Sequence, residues 1–196
     1  MITASTVKEL RTRTGAGMMD CKKALVACDG DVEKAIEELR KTGVSSVAKR
    51  AGRAAKEGVI ASYIHPGDKL GVLVEVNSET DFVARTELFR EFARNIAMQV
   101  AASDPIVVQR DEISQETLER EKDIYRESAR NEGKPEAILD RIVEGRVQKY
   151  YQEVCLLEQP FVKDGDKTVQ DVLTEIGTSL GEHIAIKRFV RFRLGE

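Results

Sequence analysis

The chain has 196 residues, of which 41% are hydrophobic and 33% charged, a composition typical of a folded globular protein with one domain or two small ones. No apolar run approaches the roughly 20 residues of a membrane span, and the first residues lack the basic and apolar regions of a signal peptide. We therefore expect a cytoplasmic protein that does not enter a membrane. The formal net charge of −3 argues against nucleic-acid binding by the whole surface, but it does not exclude a local basic patch.

The motifs that usually carry chemistry are missing from the sequence. The three cysteines do not make a disulfide framework, and Cys21 and Cys28 lie seven residues apart, so on a helix they share one face as small buried hydrophobes. His65 and His183 are far apart, and no C-x-x-C motif accompanies them. There is no Walker loop, no G-x-G-x-x-G and no G-x-S-x-G motif. The sequence predicts neither a cofactor nor a metal site, and it favours a binding protein over an enzyme.

Residues 3–43 are predicted to form three short helices. Apolar residues recur at helical spacing and glycines interrupt the pattern; Asp31 suits the N-cap of the third helix and Gly43 suits its end. Such a module is too small to bury much of its own surface. Met18 and Met19 stand at a helix start, where adaptable thioether side chains are candidates for partner contact. The alternative is that one of the two belongs to the core.

The composition changes between Arg40 and Lys56. Basic residues here alternate with alanine, serine and glycine, and no acidic residue occurs. One interpretation is an RNA-binding stripe, and the other is a solvated linker with a helix from Ala48 to Ala55. No aromatic residue is interleaved for base stacking, which favours the linker and places a domain boundary here.

Two strands and a helix are predicted next. Residues 59–64 and 70–76 carry strand patterns and are joined by the turn-forming residues 65–68. A helix with a broad apolar face follows from Thr86 and ends before Asp104-Pro105.

Between the second strand and this helix lies the turn at Asp81-Phe82. Thr80 or Asp81 can cap the helix while Phe82 tucks into the core, which spacing alone favours. The alternative is that the turn presents Phe82 outward as an apolar anchor for a partner.

Residues 114–131 and 135–157 predict two longer helices with turn-forming residues between them. The first is mostly charged, and the apolar residues of the second lie along one side: Ile138, Ile142, Tyr150, Val154 and Leu157. So narrow a seam is typical of an antiparallel helical hairpin that projects from a core.

One more helix and a strand close the chain. The helix begins at Val169 and ends at Gly181, and residues 184–194 largely alternate apolar with basic. Because an isolated hairpin is marginally stable, the closing strand is expected to pair with the earlier two. The predicted fold class is α+β: an N-terminal three-helix (UBA-like) module, a small antiparallel sheet with helices on one face, and a protruding antiparallel helical hairpin.

Two segments resemble the signatures of a known family. Residues 10–25 (LRTRTGAGMMDCKKAL) resemble the N-terminal signature of the elongation factor Ts family, and residues 75–85 (EVNSETDFVAR) resemble its second signature. Weaker similarity covers essentially the whole chain. The resemblance implies a guanine-nucleotide exchange factor for elongation factor Tu.

The resemblance also implies roles for particular residues. Arg11, Met18 and Met19 match positions that grip the nucleotide domain of the Tu partner. Asp81 and Phe82 match a pair that intrudes near the magnesium and phosphate site, so the resemblance favours an outward-facing Phe82 over a buried one. The flanking Thr80 and Val83, together with His65, Leu180 and Gly181, match further contact positions.

The similarity is to the short form of the family, with sequence for a single core subdomain. Members of this length are expected to form homodimers that bind two copies of the Tu partner, with no direct contact to nucleic acid. The implied domains are the partner-binding module 1–44, a basic linker 45–56, a core formed by 57–110 and 160–196, and a helical hairpin 111–159 inserted in that core. The closing strand contains no cysteine, so an interface that uses it has to hold by packing alone.

Two other classes of function compete with this one. An RNA-binding or ribosome-associated protein would use the basic stretch, and a ubiquitin-associated type of interaction module would use residues 3–43. Neither class accounts for the Thr80–Val83 segment.

Overall fold

The computed structural model describes residues 2–196, apart from the side chains of residues 44–46 and 48. Helices and a small antiparallel sheet make up the chain, which confirms the predicted α+β class. The chain divides into two compact units. The first contains the residues up to Ile60 with residues 76–93 and 171–185, and the second contains residues 61–75, 94–170 and 186–196. Each unit is thus assembled from segments that are distant in sequence.

Three helices form at the N-terminus, as predicted: α1 (Ala4–Thr14), α2 (Met18–Ala27) and α3 (Val32–Arg50). They pack against one another around fully buried residues that include Leu10 and Leu25. The predicted cap of the third helix is confirmed, since the Lys34 N–H donates to Asp31 Oδ1 at 3.1 Å.

The predicted end of α3 at Gly43 is wrong, because the helix continues to Arg50. A glycine inside a helix costs about 1 kcal/mol relative to alanine, so its presence needs another reason. A Cβ atom at residue 43 would lie 3.0 Å from Thr178 Oγ1. Gly43 therefore permits the close approach of another segment and does not end the helix. The helix also stops short of Ala55, where the linker interpretation let it end.

The described residues form five strands. β1 (Glu57–Ile64) and β2 (Leu70–Ser78) form the predicted hairpin, and β3 (Pro160–Phe161) pairs with β4 (Asp164–Thr168) in a separate two-stranded sheet. β5 (Ala185–Arg193) joins the hairpin in the strand order β1-β2-β5, which confirms the expected pairing. The small β3–β4 pair was not predicted, since only a turn is evident in its sequence.

A short helix, α4 (Asp81–Ala84), follows β2 directly, and the longer α5 (Glu87–Ser103) follows α4. The end of α5 before Asp104-Pro105 is as predicted. Val72, Val74 and Val76 of β2 are buried, and so are Phe89 and Ile96 of α5. The alternating valines thus point into the core, as their period of two predicts.

Helices α6 (Gln115–Asn131) and α7 (Glu136–Val154) pack against each other as a hairpin. The predicted seam is confirmed at Val154 but is displaced by one residue in the first half of α7. The buried side chains of the helix are Leu139, Val143, Val147 and Val154, whereas Ile138 is exposed. Both stripes satisfy helical spacing. The position of the facing helix decides which stripe is buried, and the periodicity of α7 alone does not indicate that position.

The last helix, α8 (Val169–Leu180), ends where predicted. Gly181 follows it with φ of +72°, a left-handed conformation that a glycine adopts without steric cost. Glu182 and His183 come next, before β5 begins.

Candidate functional site

Asp81 and Phe82, the residues of the Asp81-Phe82 turn, begin α4 directly after Glu79 and Thr80, which follow β2 in the first unit. Thr80 is the N-cap: its backbone is extended, with φ −128° and ψ 155°, and its Oγ1 accepts from the Val83 N–H at 3.4 Å. The Ser78 hydroxyl donates to the Thr80 carbonyl at 2.9 Å. Of the two predicted caps, the structure therefore has Thr80.

The Phe82 ring points outward, with 78% of the residue exposed. The interpretation that spacing alone favoured, a ring tucked into the core, is wrong, and the outward-facing ring that the family resemblance favours is confirmed. Burying a phenylalanine side chain contributes about 1.5–3 kcal/mol relative to leaving it exposed, and this chain forgoes that contribution here. The ring is thus available to a partner, and its direction depends on the backbone that carries it.

Asp81 pairs with Arg85 one turn further along, with 2.7 Å between Oδ2 and Nη2. Both side chains are substantially exposed, and ion pairs of this kind contribute about 0–1 kcal/mol. The Asp81 carboxylate is therefore held loosely enough to exchange its partner when another donor arrives.

A carboxylate from outside the turn holds its first half. Glu182 Oε2 accepts from the backbone N–H groups of Glu79 and Thr80 at 3.0 and 3.1 Å, and Glu182 Oε1 accepts from the Thr80 hydroxyl at 2.6 Å. The Thr80 hydroxyl therefore donates to Glu182 while it accepts from Val83. The cap of α4 and the loop after α8 therefore belong to one hydrogen-bond network.

A second carboxylate returns the contact. Glu79 Oε1 accepts from the His183 N–H at 2.7 Å, and the Arg53 guanidinium lies 3.4 Å from the same carboxylate. The His183 N–H lowers the pKa of the Glu79 carboxyl below its ordinary value, against a smaller opposing effect of desolvation, and the charge of Arg53 adds to the lowering. His183 Nδ1 lies 2.8 Å from the Arg53 carbonyl oxygen. Because a carbonyl only accepts, Nδ1 carries the proton of this bond.

Sequence reasoning missed Glu79, Glu182, His183 and Arg53 as parts of this arrangement. Glu79 lies inside the second signature, but nothing in its spacing indicates a partner about a hundred residues away. Arg53 was assigned to the basic linker, whereas its side chain and carbonyl both take part in holding the turn.

The residues predicted on the N-terminal helices lie at the surface. Met18 and Met19 open α2 and are 46% and 62% exposed, so the alternative that one of them is core is wrong. Arg11 is exposed in the last turn of α1. All three belong to the same compact unit as Asp81 and Phe82.

The remaining predicted contact positions differ in setting. Leu180 is half-buried at the end of α8, and Gly181 is exposed immediately before Glu182; both belong to the first unit. His65 lies in the second unit, exposed at the start of the β1–β2 turn, with Nδ1 3.0 Å from the Tyr63 hydroxyl.

Within the part of the chain that the structure describes, no three His, Cys, Asp or Glu side chains form a group that could hold a metal ion. None of the described helices combines the length and the apolar character needed to cross a bilayer.

Fold and site together define an α+β protein that presents an exposed phenylalanine on a hydrogen-bonded turn and an exposed methionine pair on its N-terminal helices. The sequence model of the family described as "Elongation factor TS" matches residues 3–196. An elongation factor Ts of Desulforamulus reducens is 60% identical over 195 residues, which cover 100% of this chain and 90% of that protein. Those of Carboxydothermus hydrogenoformans and Moorella thermoacetica are each 59% identical over 196 residues, covering 100% of this chain and 90% and 97% of theirs. The chain belongs to the elongation factor Ts family.

Proposed function

We propose that this chain is a guanine-nucleotide exchange factor of translation elongation that promotes GDP release from elongation factor Tu. The observation that carries the proposal is the Phe82 ring, exposed on a turn whose backbone is held by charged groups. The chain acts by binding, not by catalysing a bond change, and it requires no cofactor. Its expected compartment is the cytoplasm, where polypeptide elongation takes place.

Linkage explains how binding alone releases a nucleotide. A partner that binds the empty form of a GTPase more tightly than the loaded form weakens nucleotide binding by the same factor. Each increment of about 1.4 kcal/mol in differential affinity corresponds to a tenfold change in nucleotide affinity. The exchange factor therefore needs contacts that only the empty form can accept.

Phe82 is the candidate for such a contact. A ring inserted between packed elements of the partner displaces the groups that position the magnesium ligands. Mg²⁺ demands near-ideal octahedral coordination, so a small displacement weakens the ion and the phosphates it neutralises. The exposed ring of Phe82 enters a partner without first leaving this protein's own core, which supports the role of a wedge.

Asp81 has a supporting part in this proposal. Its pair with Arg85 holds α4 in place before binding, and the exposed carboxylate competes for a donor of the partner after binding. Thr80 and Val83 keep the turn in shape through the capping bond.

The exposed surface of α1 and α2 supplies the anchor. Met18 and Met19 offer flexible, polarisable side chains that adapt to an apolar groove, and Arg11 offers a cation beside them. We propose that the three grip the nucleotide domain of the partner, and that His65, Leu180 and Gly181 make further contacts.

We also propose that the chain is a homodimer that binds two copies of the partner. Support comes from an exposed apolar surface of the second unit, the outer sheet face, formed by Ile64, Leu73, Val190, Phe192 and Leu194. Leu73 lies opposite the buried Val72 and Val74. Glu75, two residues on, pairs with Arg188 at 2.7 Å, so Arg188, Val190 and Phe192 share the face of Leu73.

The same face continues onto β1. A Cβ atom at Gly71, two residues before Leu73, would lie 2.9 Å from Ile64 Cδ1. A contiguous patch of several exposed apolar side chains is typical of a protein interaction site. A second copy of the chain carries the same patch, so two copies can pair through it by twofold symmetry. None of these residues is a cysteine, so packing alone holds the proposed interface.

Stopped-flow measurement of GDP release from elongation factor Tu tests the proposed function. At saturating concentration, Phe82→Ala is expected to lower the maximal release rate at least about tenfold, because the wedge is lost. Met19→Ala is expected to raise the half-saturating concentration with a smaller effect on the maximal rate, because an anchor supplies affinity. Asp81→Ala is expected to fall between the two.

Ile106→Ala is the matched control, since Ile106 is also an exposed apolar residue but lies outside the turn and the anchor. A Phe82→Ala protein that releases GDP as fast as the original chain would show that Phe82 is not a wedge. A weaker affinity with an unchanged maximal rate would make Phe82 an anchor instead.

A further inference from the structure

We propose that Glu182 and Glu79 form a carboxylate clasp that sets the direction in which the Asp81-Phe82 turn projects, which makes Glu182 a positioning residue for nucleotide exchange. The inference rests on the proposed function, because positioning matters only if the turn acts on a partner. The clasp consists of Arg53, Glu79, Thr80, Glu182 and His183, all in the first compact unit.

The Phe82 ring cannot fix its own direction. With 78% of Phe82 exposed, few contacts to the rest of the chain fix where the side chain points. α4 has only four residues, too few to be stable by its own backbone hydrogen bonds. The direction of the ring is therefore inherited from the backbone at Glu79 and Thr80.

The backbone at Glu79 and Thr80 is held by the charged carboxylate of Glu182. The N–H groups of Glu79 and Thr80 precede the helix and have no intrahelical acceptor, and both donate to Glu182 Oε2. Glu182 Oε1 takes the Thr80 hydroxyl at 2.6 Å. Hydrogen bonds to an ionised acceptor are the stronger class, and three donors converging on one carboxylate leave the peptide little freedom to rotate.

Glu79 and Glu182 each bind the backbone of the loop that carries the other. Glu182 binds the backbone of Glu79, and Glu79 binds the backbone N–H of His183. Neither loop can rotate without breaking a bond made by the other. Two neighbouring carboxylates repel each other, and the N–H donors together with the Arg53 guanidinium compensate that repulsion.

The three segments that meet in the clasp all lie just beyond the end of a helix or strand. Arg53 follows α3, Glu79 follows β2, and Glu182 follows α8, so each lies at the irregular end of an element where the ladder of hydrogen bonds has stopped. The His183 imidazole donates to the Arg53 carbonyl and closes the arrangement. The clasp thus supplies order where neither helix nor sheet does.

A double-mutant cycle on the maximal GDP release rate tests the proposal. Glu182→Ala is expected to lower that rate several-fold in the original chain and to have almost no further effect in the Phe82→Ala background. A residue that acts only through the orientation of Phe82 loses its effect when the ring is absent. A merely structural contribution would instead lower both rates by the same factor, and this result would overturn the proposal.

Conservative and control variants complete the cycle. Glu182→Gln keeps an oxygen that accepts from the two N–H groups and is expected to recover much of the rate, even if Glu182→Ala folds poorly. Glu91→Ala removes a carboxylate from the exposed side of α5 and is expected to change nothing. Equal losses in Glu182→Gln and Glu182→Ala, with both proteins folded, would contradict positioning through the N–H bonds.

Amide hydrogen exchange of the free protein separates this proposal from the proposed function. Glu182→Ala is expected to speed exchange at the N–H groups of Glu79 and Thr80 at least about tenfold, because both lose their acceptor, while amides in α6 and α7 keep their rates. Unchanged exchange at Glu79 and Thr80 would refute the clasp even if the chain promotes GDP release. Faster exchange in a protein whose Phe82→Ala variant releases GDP normally would leave the clasp in place and refute the wedge.

Discussion

Two of the regions in which the chain exposes apolar side chains are built differently. At the Asp81-Phe82 turn, a single large ring projects from a short segment held by charged hydrogen bonds. On the outer sheet face, several apolar side chains project from regular strands, accompanied by one ion pair between Glu75 and Arg188.

The difference shows two ways of preparing a surface for a partner. Strands position their side chains through the ladder of backbone hydrogen bonds, so a broad apolar face needs no additional scaffold. A projecting turn lacks that ladder, and polar side chains such as Glu182 have to satisfy its N–H groups. A broad face suits a permanent contact with a second copy, whereas a single ring suits a partner that binds and leaves.

The largest expected effect comes from a charge on the outer sheet face. Phe192 is 67% exposed, and Phe192→Asp would place a carboxylate in the proposed dimer interface. We expect the dimer dissociation constant to rise at least about 100-fold, since an unpaired buried charge is strongly unfavourable. Light scattering over a concentration series measures the change.

Two results would contradict the assignment of the outer sheet face to a dimer contact. If the original chain has the mass of a monomer at every concentration, the outer sheet face has another use. If Ile106→Asp, the same change at an exposed position outside this face, dissociates the dimer equally, the effect is not specific to the face.

A smaller effect is expected from pH at the turn. The lowered pKa of Glu79 means that folding favours its charged form. Its bond to the His183 N–H is therefore fully present above the ordinary glutamate pKa, about 4.3, and is lost only as the pH falls through the lower value of the folded protein. The His183 amide proton, followed by NMR, is expected to shift with a midpoint below about 4.3.

The groups around Glu79 define the control for this titration. Arg53, Glu182 and His183 are the other side chains of the clasp that face Glu79. Glu79→Gln is expected to remove the acidic transition of the His183 amide proton. A transition that persists in Glu79→Gln would show that it does not arise from Glu79.

The smallest effect is expected from the ion pair on the outer sheet face. Arg188 is largely exposed, and pairs of this kind contribute about 0–1 kcal/mol. Arg188→Ala is therefore expected to change the dimer dissociation constant less than about fivefold. A much larger change would mean that this pair becomes buried between two copies, and the contrast between apolar face and charged turn would weaken.

Much of the fold was predictable because its signals are local. Periodicity located the helices and the three strands of the main sheet, and capping and turn residues located ends such as those at Asp31 and Gly181. The errors came where one local pattern is compatible with two structures and a segment distant in sequence decides which of them forms. A glycine such as Gly43 suits either the end of a helix or the close approach of another segment. Helical spacing likewise allows either Ile138 or Leu139 to face α6.

The sequence by itself determined the α+β class, the order of the main elements and the two signatures that identify the family, and through them it favoured an outward-facing Phe82. Only the tertiary structure decided between this ring and a buried one, and only it showed that both methionines are exposed and that Glu182 holds the turn. The reason is physical. Helix and strand patterns report contacts a few residues apart, whereas the hydrogen bonds that orient the turn join residues 53, 79–80 and 182–183, which meet only after the chain has folded.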